Sequence, residues 1–163
     1  LENSMNKYCR DVIKESKKNP QLKVKLLLIL FRWSQLRKKN KLLSVIFVPI
    51  HLIYYIYSNF FLGIELPVGV KVDMPLTIWH GTGIVVNPRA RIKANVTLRN
   101  GVVIGNDGLS DECPVIDSEC SIGANAVIVG GVSIGKYTKI GPCSFVNFDV
   151  DSYKKVINCT ITK

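Results

Sequence analysis

Histidine is nearly missing from this chain, with two in 163 residues. Cysteine reaches five, yet no CxxC pair and no His/Cys cluster with ligand spacing occurs, so the common zinc sites are excluded and no metal is expected. An odd number of cysteines without framework spacing reads as reduced thiols of a cytosolic protein. Acidic residues are scarce at one end: residues 1–63 hold twelve Lys/Arg against three Asp/Glu, and residues 64–163 ten against nine. This shift marks a boundary near Gly63. Leu1–Ser4 precede Met5 and read as a vector-derived addition, and no apolar core of a secretory signal follows them. No recognised nucleic-acid module accompanies the basic residues, so no nucleic acid is expected as a partner.

Residues 5–63 read as a basic and apolar α-helical region. "QLKVKLLLILFRWSQLRKKN", residues 21–40, repeats its apolar residues at three and four positions, which predicts a helix. Formal charge is then absent from Leu42 to Ile64, a run of 23 residues. That length would span a bilayer, but Pro49, His51, three tyrosines, Ser58 and Asn59 interrupt it. A helix apolar all round also fits one docked on a core or on a neighbouring subunit. Basic residues beside apolar ones equally fit an element lying on an anionic membrane surface, which would place the protein peripherally on the inner face of the cell membrane.

Beyond Gly63 an apolar residue returns every six positions: Leu66, Val72, Ile78, Ile84, Ala90, Val96, Val102, then Ile116, Ile122, Ile128, Ile134, Ile140 and Val146. A period of six fits neither an α-helix nor an alternating strand. It fits a left-handed parallel β-helix of hexapeptide repeats over residues 64–150, with three flat strands and three corners per eighteen-residue coil. Stacked coils give every strand a partner above and below. The phase slips between Val102 and Ile116, and the polar loop 106–115, "NDGLSDECPV", should leave the prism there. Residues 151–163 read as a C-terminal tail.

The segment "IELPVGVKVDMPLTIWHGTGIVV" resembles the serine O-acetyltransferase branch of the hexapeptide acyltransferases. "FFLGIEL", "RKKN" and "IGNDGLSDECP" bring it nearer to the colanic-acid and capsule O-acetyltransferases of that branch. The resemblance covers roughly residues 25–150. It implies that His80 is the general base, taking a proton from an acceptor hydroxyl as the oxygen attacks the thioester of acetyl-CoA. An imidazole near neutrality suits that task. It also implies that a carboxylate fifteen residues upstream, here Glu65, holds the other ring nitrogen.

Acetyl-CoA is the co-substrate that the family implies. Its pantetheine arm would lie between two prisms of a homotrimer, near Asn106, Ala124 and Pro142, the last lacking an N–H to donate. Lys136 and Lys139 are candidate phosphate partners. Serine enzymes of the branch grip serine with an acid before the base and an Arg-His pair in the loop. Those positions here are Trp79, Glu112 and Cys113, so a zwitterionic acceptor loses its charged partners. The expected reaction is O-acetylation of a sugar hydroxyl in surface polysaccharide assembly, with Trp79 as a platform for the carbohydrate acceptor. Transfer to serine or another small metabolite, and a non-catalytic scaffold, are the alternatives.

Overall fold

The computed structural model describes residues 2–38 and 41–157. Helices come first: α1 (Glu2–Lys18), α2 (Leu22–Gln35), α3 (Lys41–Ile46) and α4 (Val48–Ile56), with a 3₁₀ turn at Leu36–Lys38 and a π-helical turn at Tyr57–Phe61. The helix expected over 21–40 ends at Gln35, and α1, which the apolar periodicity did not single out, lies ahead of it. Lys39 and Asn40 of the "RKKN" stretch lie outside the described residues, as do 158–163 of the expected tail.

Thirteen short strands follow among the described residues: β1 (Lys71–Val72), β2 (Leu76–Trp79), β3 (Val85–Val86), β4 (Arg91–Ile92), β5 (Val96–Arg99), β6 (Val103–Gly105), β7 (Val115–Ile116), β8 (Ser121–Ile122), β9 (Val127–Val129), β10 (Ser133–Ile134), β11 (Lys139–Ile140), β12 (Phe145–Val146) and β13 (Lys155–Val156). They form three parallel sheets, ordered β1-β4-β7-β10, β13-β11-β8-β5-β2 and β12-β9-β6-β3. Up to β12 the chain visits the sheets in rotation, which makes a left-handed parallel β-helix of about four coils. Part of the expected tail joins it, since Lys155–Val156 pair with Lys139–Ile140.

All thirteen hexad residues are buried, but the repeat runs in a different phase through the second coil. Strand register aligns Val72 with Ile92, Ile78 with Leu98, and Val85–Val86 with Val103–Ile104. The interior strand residues there are Val86, Ile92, Leu98 and Ile104. Ile84, Ala90, Val96 and Val102 stand two places earlier, toward the corners. Both positions are apolar in this coil, so the pattern alone did not separate them. The displacement arises in "WHGTGI": eight residues, not six, separate Ile78 from Val86, so this corner carries two extra residues. The loop between Ile104 and Ile116 then holds six extra residues instead of two.

The helices close the base of the prism. Val24, Leu27, Leu28 and Phe31 of α2 are buried in one cluster with Ile64, Leu76, Ile78 and Ile84 of the first coil. A first coil also exposes unpaired backbone groups along its open edge. Here side chains from the helices satisfy several of them. Glu15 Oε1 accepts from the Leu76 N–H at 2.7 Å, and Asn19 accepts from the Ile78 N–H at 2.8 Å and donates to the Leu76 carbonyl at 3.0 Å. Arg32 donates to the Val72 carbonyl at 2.7 Å, and the Tyr54 hydroxyl donates to the Leu66 carbonyl. Glu15 and Arg32 are themselves paired at 2.7 Å, both fully buried. The apolar run itself divides: Tyr54, Ser58, Leu62 and Ile64 are buried, whereas Leu42, Val45, Leu52, Phe60 and Phe61 are exposed. Among the described residues no helix is long and apolar enough to cross a membrane.

Candidate active site

Side chains alternate along β2, so Ile78 fills the prism and Trp79 projects outward, 39% exposed. The corner with its two extra residues then carries His80 and Thr82 exposed on either side of a buried Gly81. His80 has φ +63°. Other side-chain-bearing residues with left-handed backbone, such as Asn95, Asn125 and Cys143, each stand three places before an interior residue, at a regular corner. His80 departs from that rule and belongs to the insertion. Such a conformation is uncommon outside glycine and persists only where surroundings enforce it.

Helix α2 supplies the enforcement. A Cβ on Gly81 would lie 2.8 Å from Val24 Cγ2, so only glycine lets the helix approach this closely. Lys23 Nζ donates to the His80 carbonyl at 3.4 Å. Gln21 Nε2 stands 3.2 Å from His80 Nδ1. The ring of Trp79 is 6.4 Å from the imidazole. Among the described residues Nε2 has no hydrogen-bond partner. The result is an exposed imidazole held through one nitrogen with the other open, which can take a proton from a bound hydroxyl in the tautomer that carries its own proton on Nδ1.

The expected partner carboxylate is elsewhere. Glu65 bridges to Val85 through its backbone, and its side chain is exposed, with no hydrogen bond to His80. It lines a cavity of about 280 Å³ with His51, Tyr54, Tyr55 and Asn59. His51, the second histidine, is stacked on Tyr54, and burial followed by the Arg37 charge lowers its pKa below the usual histidine value.

The residues expected around acetyl-CoA divide between corners. Ala124 and Pro142 stand two positions after the interior residues Ile122 and Ile140, as His80 stands two after Ile78 in the same sheet. They line a cleft of about 320 Å³ with Arg99, Ser121, Gly123 and Ile140. Lys139 is exposed at the start of β11, and Lys136 lies at the preceding corner. Asn106, Glu112 and Cys113 belong to the loop, one sheet away from the His80 corner. The loop lies folded on its own scaffold: Asn106 donates to the Ser110 carbonyl, Asp107 accepts the N–H groups of Leu109 and Ser110, and Arg89 pairs with Asp111 at 2.5 Å. Those N–H groups hold the Asp107 carboxyl below the usual range, as Arg89 does for Asp111. Glu112 rests over Gly131, and burial pushes the Cys113 thiol up, leaving little thiolate at neutral pH.

One protomer therefore brings together His80, Trp79, Ala124 and Pro142 along one edge, and leaves Glu65 unbonded to His80 and the loop residues on another corner. Sequence reasoning missed Gln21 and Lys23, whose partner is 59 and 57 residues away. It also missed Arg99, which stands beside Trp79 in the parallel ladder. The available signal was Gln21 itself, an unusual residue to open a helix.

Parallel hexapeptide coils define the class by fold, a left-handed β-helix. The family described as "Bacterial transferase hexapeptide (six repeats)" matches residues 113–147. An Escherichia coli K12 protein named as a colanic acid biosynthesis acetyltransferase, WcaB, is 33% identical over 111 residues, covering 68% of either chain. The serine acetyltransferase of Bacillus licheniformis is 33% identical over 102 residues, 61% of this chain and 47% of that one. Among solved structures, serine acetyltransferase from Brucella abortus strain S19 matches with TM-score 0.70 and 26% identity, over 81% of this chain and 52% of its own. Soybean serine acetyltransferase complexed with serine matches at 0.67 and 26%, over 83% and 54%. This chain thus spans about half the length of those serine acetyltransferases. It belongs to the hexapeptide-repeat acetyltransferases of the serine acetyltransferase-like branch.

Proposed function

We propose that this protein moves an acetyl group from acetyl-CoA directly to a sugar hydroxyl during assembly of a surface polysaccharide. His80 Nε2 takes the hydroxyl proton as the oxygen attacks the thioester carbonyl. The tetrahedral intermediate then collapses, the carbon–sulfur bond breaks, and the CoA sulfur leaves with the proton returned by the imidazolium. The observation that carries the acceptor class is Trp79, an exposed indole beside His80. A pyranose stacks its C–H face on such a surface, whereas an amino acid needs charges that this position lacks. A protonated Cys113 favours direct transfer over an acyl-enzyme.

The cleft lined by Arg99, Ala124 and Pro142 supports acetyl-CoA binding along this edge, with Lys136, Lys139 and Arg99 as candidate partners for its phosphates. Because the loop residues Asn106, Glu112 and Cys113 lie on another corner, a complete site needs the loop of a second protomer, which is the case for a homotrimer. Leu42, Val45, Leu52, Phe60 and Phe61 are exposed next to the basic helices, and this supports attachment to an anionic membrane surface. A second reading, transfer to serine, is favoured by the serine acetyltransferase relatives.

The test is CoA release from acetyl-CoA with de-acetylated exopolysaccharide repeat units and, separately, with serine. Acetylation of the glycan and not of serine is expected, and the reverse result overturns the acceptor assignment. His80→Ala should lower the rate by roughly 10²–10⁴ while the fold is kept. Retention of more than about a tenth of the rate would remove His80 as the base.

A further inference from the structure

The geometry points to Gln21 as the positioning residue of His80, its amide oxygen accepting the Nδ1 proton in place of a carboxylate. This rests on the reading of His80 as the base. The two side chains are 3.2 Å apart although 59 residues separate them. Gln21 occupies the N-cap position of α2 with extended backbone (φ −88°, ψ 130°) and makes no side-chain cap to the helix. Cap positions favour Ser, Thr, Asp or Asn, whose short side chains turn back onto the helix. A glutamine there is a poor cap but reaches outward, and what it reaches is the imidazole. Its neighbours fix the approach, since Lys23 bonds the His80 carbonyl and Val24 occupies the space beside Gly81.

An amide has a donor end and an acceptor end of nearly the same shape. In the structure Nε2 faces Nδ1, which suits the tautomer carrying its proton on the histidine Nε2, and Oε1 is buried without a partner. That tautomer has no lone pair to offer a hydroxyl. Rotating the amide by half a turn places Oε1 against an Nδ1–H and leaves the histidine Nε2 as a base. When His80 then gains the acceptor's proton, both ring nitrogens carry hydrogen, and only the Oε1 orientation remains bonded. A neutral partner accepts this hydrogen bond without the electrostatic gain that a carboxylate would give the imidazolium.

The experiment uses the full chain and two readouts. Nitrogen-detected NMR of the imidazoles, with His80→Ala identifying which of the two sets belongs to His80, should find the Nδ1–H tautomer in the unchanged protein. Gln21→Glu should raise the His80 titration midpoint by about one unit and move the acid limb of kcat with it. Gln21→Ala should lower kcat by roughly tenfold or more, because the general-base imidazole loses the hydrogen bond that selects its tautomer, with KM for acetyl-CoA little changed. An Nε2–H tautomer throughout, or a His80 midpoint unmoved by Gln21→Glu, overturns the inference even if His80→Ala is inactive. Activity surviving in His80→Ala instead overturns the reading of the base. Equal loss in Gln21→Ala and Gln21→Glu, with no change in midpoint, assigns Gln21 a purely structural role.

Discussion

Trp79 and His80 are adjacent in sequence but face different problems. The indole is fixed by strand alternation, while the imidazole sits where the coil has two residues too many. Trp79→Ala should raise KM for the glycan acceptor and leave that for acetyl-CoA nearly unchanged. Equal weakening toward both substrates would make the indole a packing residue. Strand alternation alone told which way Trp79 points, because Ile78 had to be interior. The inserted corner was not legible. Ile84 satisfies a six-residue count from Ile78 as well as Val86 satisfies an eight-residue count, and both are apolar and buried. Nor was the partner of His80. The resemblance implies Glu65, which in one protomer lies beside His51, Tyr54 and Tyr55, whereas the residue at hydrogen-bond distance from His80 is Gln21, which opens a helix far earlier in the chain.

At the scale of elements, the helices and the first coil share one polar network. Glu15 and Arg32 bond each other and also the backbone of Leu76 and Val72, groups that no strand covers. Arg32→Ala would leave a buried carboxylate without its cation, and breaking such a pair typically costs about 3–5 kcal/mol. A denaturant midpoint that falls accordingly, with the m-value unchanged, is the expected result; a loss of stability below about 1 kcal/mol would show that Glu15 finds water. Apolar periodicity predicted α2 well because one stripe of it enters the prism. It was silent on α1, whose contribution is made by Glu15 and Asn19, polar residues whose burial only the assembled molecule reveals.

At the scale of the molecule, charge and apolar surface are both concentrated in the helical region. Liposome binding should require anionic lipid and weaken with salt. Equal binding to neutral vesicles would assign the exposed apolar residues the leading part, and no binding would assign that face to protein contact. Light scattering at micromolar concentration should give a trimer, and a monomer would leave the proposed two-protomer site without a basis. The capped base carries another implication, for how the polypeptide reaches its native form. Each coil of a solenoid needs a finished surface to settle on, and here that surface is made from helices that precede every coil in the chain. Folding can then advance coil by coil as synthesis proceeds, starting beside His80, so no sheet edge waits long for its partner.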